Sequence, residues 1–153
     1  DLRARIPYCF AEHPYPGVPQ FDLRTIAEGN TFTILPGADF RPLEVEVLGV
    51  THGRLPILGF RTGTFAYITD ASEIPASTIE RLRGLDILVI NALRAEPHPS
   101  HQNLTQALNV IKETAPRRAF LTHMSHDMGL HARVCAALPD GVTLAYDGLT
   151  VDF

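Results

Sequence analysis

Leu43-Glu44-Val45-Glu46-Val47-Leu48-Gly49-Val50-Thr51-His52-Gly53 is the stretch on which the reading of this chain turns. From Leu43 to Val47 apolar and acidic side chains alternate, the period of a strand with one buried face. The run then ends at Thr51-His52-Gly53, with an imidazole at the tip of the strand. The same arrangement recurs downstream. Residues 57–61 and 64–69 flank Thr62-Gly63 as a hairpin, and its second arm runs straight into Asp70. Asp86-Ile87-Leu88-Val89-Ile90-Asn91 reads as a buried strand, and Ala119-Phe120-Leu121-Thr122 as another that runs into His123. Between them, 74–84 predicts a short helix that begins near Pro75 and Ser77 and stops at Gly84. Residues 103–114 place Leu104, Ala107, Leu108 and Ile111 at helical spacing, and Pro116 closes that run. Towards the end, 130–138 predicts a helix, and 142–146 with 149–153 predict a last pair of strands around Asp147-Gly148. Upstream, Thr31-Phe32-Thr33-Ile34 is a further strand. The first thirty residues, broken by Pro7, Pro14, Pro16, Gly17 and Pro19, form an irregular excursion bounded by short elements.

The expected class is therefore α/β, a sheet covered by helices on its outer face. The opposite face needs a layer that these residues barely supply, so the sequence looks like half of a sandwich. The chain has 153 residues, 45% hydrophobic and 20% charged, enough for one domain over 1–153 and no more. Its formal charge of −4 offers no basic surface for nucleic acid or anionic lipid. Cys9 and Cys135 are too few and too far apart for a disulfide scaffold or a Cys-x-x-Cys clip, which makes a reducing cytoplasm the expected setting. No apolar run approaches the roughly 18 residues that span a bilayer.

Chemistry concentrates just past the strand ends: His52, Asp70, His101 beyond Asn91, and His123. Side chains in such places gather at one edge of an α/β sheet, where binding sites are built from loops on a rigid scaffold. Histidine and carboxylate together suit zinc, with manganese or iron as the other candidates. Each residue also has a plainer reading: His52 as a capping or core histidine, Asp70 as a turn or helix cap, and His126 with Asp127 as the start of the helix that follows. His98 and His101, in Pro97-His98-Pro99-Ser100-His101, sit in a rigid loop that suits a general acid or an oxyanion donor, or else faces solvent. Phosphate loops, Gly-x-Ser-x-Gly elbows and His-Glu-x-x-His helices do not occur. The glycines of Gly59-Phe60-Arg61-Thr62-Gly63 join strands and do not open a helix, so they are no dinucleotide fingerprint.

Thr51-His52-Gly53, Gly59-Phe60-Arg61, Phe65-Ala66-Tyr67-Ile68-Thr69-Asp70, Pro97-His98-Pro99-Ser100-His101, Leu121-Thr122-His123-Met124-Ser125-His126 and Ala145-Tyr146-Asp147-Gly148 together span most of 43–153. In this set the chain resembles the metallo-β-lactamase-fold hydrolases, and within them the branch of the cyclic-phosphate phosphodiesterase of carbon–phosphorus metabolism. The resemblance implies an αββα sandwich, seen mainly in its C-terminal half. It implies two divalent metal ions, zinc before manganese or iron, with His52 on one metal, Asp70 bridging both and His123 on the second. His101 would stand near the scissile phosphate as acid or hydrogen-bond donor, and His126 and Asp147 would play supporting parts. The substrate implied is a small phosphodiester, with a cyclic phosphate among the forms it admits, handled without membrane or nucleic acid. The family's His-x-His-x-Asp-His motif is absent from these 153 residues. An N-terminal segment, a partner chain or a second copy is expected to complete the fold. The competing expectations are a non-catalytic domain completed by a partner, and an RNA-processing or ester hydrolase on the same fold. The aromatic, proline-rich loop 8–19 is a further candidate for lining the pocket.

Overall fold

A computed structural model describes residues 1–35 and 41–153. Among these described residues seven strands form one sheet: β1 Thr31–Ile34, β2 Leu43–His52, β3 Leu55–Thr62, β4 Phe65–Ile68, β5 Ile87–Asn91, β6 Arg118–Thr122 and β7 Val142–Leu144. They lie side by side in chain order. β1 to β4 pair antiparallel, and β4 to β7 pair parallel. The parallel half needs crossovers, and helices supply them: α2 Ala76–Arg81 after β4, α3 Leu104–Thr114 after β5 and α4 His131–Cys135 after β6, while α1 Leu2–Arg5 lies in the N-terminal excursion.

Register explains the core. Ala66, Leu88 and Ala119 pair in one row with Val142, and Ile68, Ile90 and Leu121 pair in the next, Leu121 in turn with Leu144. With Leu48 and Val50 these side chains share a face, because side chains two apart on a strand point the same way. Leu82, Leu85, Ala107, Ile111 and Met128 pack against them from the helical layer, and all are buried. α2 is fastened to β2 at two points: Thr78 Oγ1 donates to the Gly49 carbonyl at 2.7 Å, and Arg81 pairs with Glu46. The Glu28 carboxylate lies against Gly49, where a Cβ would come within 2.3 Å of it and displace that side chain.

The alternate residues form a second apolar face. Phe32, Ile34, Leu43, Val45, Phe60 and Phe65 line one shallow hollow on it. Residues 149–153 partly cover its other end, where the Phe153 ring stacks on Phe65 at 4.5 Å. Cover is thin, with Tyr67 still 40% exposed and Phe153 63%.

Three expectations at the level of elements are corrected. Residues 149–153 are no strand: they cross the sheet face, Arg118 Nη2 donating to the Asp152 carbonyl, and their aromatic end finds the Phe65 ring in place of an edge partner. The helix expected over 130–138 is regular only for five residues, and Pro139 stands close behind it. Asp127 does not cap it. Ser125 Oγ instead accepts from the Asp127 amide and caps a single 3₁₀ turn at His126–Met128.

Candidate metal centre

β4, β5 and β6 are parallel, and β2 runs in the same sense as β4 because two antiparallel pairings separate them. All four therefore end at one edge of the sheet. His52 is the last residue of β2, Asp70 lies just beyond β4, and His123 follows β6 directly. His101 comes from the loop between β5 and α3.

These four side chains converge. His101 Nε2 lies 3.4 Å from Asp70 Oδ1, and His123 Nε2 lies 3.3 Å from the same oxygen. The His101 and His123 rings stack at 4.9 Å, and His52 meets His101 edge-on at 4.7 Å. One ligand atom each from His52, Asp70 and His101 falls within 4.8 Å of the others. Asp70 is no helix cap: Pro75 occupies that position on α2, and Asp70 Oδ2 accepts the Thr69 hydroxyl, at 3.2 Å.

The backbone is bent to achieve this. Asp70 and His123 have φ of 62° and 59°, a left-handed conformation rare for residues with a Cβ and characteristic of functional sites. A shelf of hydrogen bonds holds it. Asn91, fully buried at the end of β5, accepts from the Ala71 amide at 2.9 Å and donates to the Ala71 carbonyl at 2.8 Å. That carbonyl also takes the Gln102 amide, the residue after His101. The Ala92 amide donates to the Thr122 carbonyl, tying the β5 end to the residue before His123. Ser72 Oγ donates to the Thr51 carbonyl and accepts from the Gly53 amide, so it brackets His52.

His101 is also held from behind. Its Nδ1 lies 3.0 Å from Ser100 Oγ and 3.2 Å from His98 Nδ1. Burial pushes the His101 imidazole below its ordinary pKa of 6.5; the Asp70 carboxylate pulls it partly back, and His123, His52 and His98 push it down again. A cavity of about 300 Å³ opens beside His123, lined by Thr122, Met124, Ala145, Tyr146 and Asp147. His126 stands apart, its side chain 94% exposed and its Nε2 3.3 Å from Asp127 Oδ1. Loop residues 8–19 do not line this cavity.

Sequence reasoning missed Asn91 and Ser72 as supports of the site. Asn91 did leave a signal, an amide closing the otherwise apolar strand Ile87–Ile90, and a buried amide must find partners.

Residues 1–124 match the family model of the beta-lactamase superfamily domain, and the chain belongs to that family. It has the metallo-β-lactamase fold, and that fold family typically binds divalent metals. Among solved structures it is similar to a diphosphatase from the PhnP family, at 37% identity and a TM-score of 0.73, over 80% of this chain and 46% of that one. The metallo-β-lactamase fold protein YhfI from Bacillus subtilis shares the fold at 19% identity and a TM-score of 0.63, over 82% of this chain and 54% of that one. Among curated proteins it is 40% identical to an octanoyltransferase of Porphyromonas gingivalis, over 97% of this chain and 29% of that protein. The chain thus spans about half or less of these relatives. No helix among the described residues is long and apolar enough to cross a membrane, and both cysteines are free thiols.

Proposed function

We propose that this chain carries part of a dinuclear metal centre that hydrolyses a small phosphodiester in the cytoplasm. The observation that carries the reading is the single carboxylate oxygen of Asp70 flanked by two imidazole nitrogens at 3.3 and 3.4 Å, with His52 alongside. The donor set fits a divalent ion: neutral imidazoles and a carboxylate, free of any helix cap, on a rigid sheet edge. His52, Asp70 and His123 would hold the ions. Two zinc ions take about eight donors, so the others come from outside these 153 residues, in the same polypeptide or in a partner or second copy. When bound, such ions supply a nucleophilic water at neutral pH and neutralise phosphate oxygens.

The remaining steps belong to this chain's side chains. His101, with Nε2 beside Asp70, exchanges a proton with the reacting oxygens. The cavity at Tyr146 and Asp147 receives the organic part of the substrate. The likeness to a PhnP-family diphosphatase at 37% identity supports a phosphoester substrate. The 40% identity to the octanoyltransferase favours a second reading, the same centre acting on an acyl ester or thioester.

The test is elemental analysis of the full-length protein followed by parallel assays on bis(p-nitrophenyl) phosphate and p-nitrophenyl octanoate. About two zinc, manganese or iron ions per chain, with phosphodiester turnover lost in Asp70→Asn, is the expected result. Turnover of the octanoyl ester alone selects the second reading, and a metal-free, inactive protein overturns both.

A further inference from the structure

The loop Pro97-His98-Pro99-Ser100-His101 fixes where a proton sits. A backbone N–H can only donate, and the Ser100 amide points at His98 Nδ1 at 3.4 Å. His98 Nδ1 is therefore bare in the neutral ring, whose proton lies on Nε2. His101 Nδ1 stands 3.2 Å from that same nitrogen and 3.0 Å from Ser100 Oγ. Two bare nitrogens at that distance would oppose lone pair to lone pair, so the proton of neutral His101 lies on Nδ1. Its Nε2, 3.4 Å from Asp70 Oδ1, is then bare as well.

We infer that His98 is a positioning residue: it selects the Nδ1–H form of His101 and so presents a lone pair, not a proton, to the Asp70 centre. Nε2 and Oδ1 are then two acceptors side by side, an arrangement that calls for a cation or a proton donor between them. Resting on the phosphodiesterase reading, this makes His101 first an acceptor. A water proton passes to Nε2 as the water oxygen bonds to phosphorus, and the same proton goes to the leaving oxygen as its bond to phosphorus breaks. Nothing else is consumed.

The experiment reads the tautomer directly. In ¹⁵N-labelled full-length protein, freed of metal by a chelator and held at pH 8, long-range ¹H–¹⁵N spectra should show His101 with protonated Nδ1 and bare Nε2. His98→Leu should turn this into a mixture of forms, and His98→Asn, whose Oδ1 can take the place of Nδ1 as acceptor, should restore it. In the metal-loaded protein, His98→Leu should lower kcat on the phosphodiester about 10–100-fold with KM little changed, the usual cost of losing such a partner. A protonated Nε2 in the unmutated protein, or an unchanged tautomer in folded His98→Leu, overturns the inference. Absence of phosphodiester turnover with the tautomer as stated strikes the functional reading alone and leaves the positioning role in place.

Discussion

Asp70 and His123 carry their functional groups on backbone that an ordinary L-residue enters only at a cost of about 1–2 kcal/mol. Asparagine tolerates this region best after glycine, and a β-branched residue worst. Asp70→Asn should thus leave the urea midpoint of the metal-free protein nearly unchanged, whereas Asp70→Val should lower stability by about 1–2 kcal/mol. Both should lose metal, and equal stabilities would show that the φ of 62° carries no strain. His101 sets a pH dependence. Its folded pKa lies below the ordinary 6.5 because burial disfavours the charged ring, so on acidification the unfolded chain takes up the proton first. The contribution is whole above about pH 6.5 and is lost as pH falls through the lowered folded value. Melting temperatures of chelator-treated protein between pH 8 and 5 should decline less steeply for His101→Gln than for the unmutated chain; matching slopes would assign the decline to other groups.

Among the elements, the end of β5 has the largest reach. Asn91 clamps the loop that bears Asp70 and shares the Ala71 carbonyl with the residue after His101. Asn91→Leu leaves the buried Ala71 amide without a partner, and a loss of about 1–3 kcal/mol in urea unfolding is expected, together with weaker metal uptake. At α3, Asn103 and Gln106 cap each other's amides, and Asn103→Ala should cost about 1 kcal/mol by the same measurement. Much of this level was legible in the sequence. Strand alternation and the spacing of Leu104 to Ile111 depend on neighbours a few residues away, and these elements stand where periodicity puts them, while the hairpin turn lies one residue on from Thr62-Gly63, at Gly63-Thr64. The convergence of His52, Asp70, His101 and His123 was legible as strand-end chemistry. The support from Asn91 was not, because its partner lies twenty residues upstream. The fate of 149–153 was hidden for a like reason: alternation marks a segment as fit to lie on an apolar surface, and the choice between a sheet edge and a sheet face is made by Phe65, far away in sequence.

On the scale of the whole molecule, one face of the sheet is sealed by helices and the other is half covered. Phe153→Ala removes the ring that stacks on Phe65, so binding of a dye for exposed apolar surface should rise and protease should cleave residues 146–153 sooner; unchanged dye binding would show that the C-terminal segment shields nothing. The strand order carries a different consequence. Because β1 to β7 stand in space as they do along the chain, no strand has to be inserted between two already joined. A ribosome delivering this polypeptide supplies each strand to an edge that is waiting for it, so the sheet can grow vectorially, without rearrangement. The four groups at the sheet edge arrive in the same order. His52 and then Asp70 are laid down early, His101 follows, and His123 comes only with β6. β1 to β5 therefore emerge before the candidate centre is complete, and this donor set cannot assemble until residue 123 has emerged.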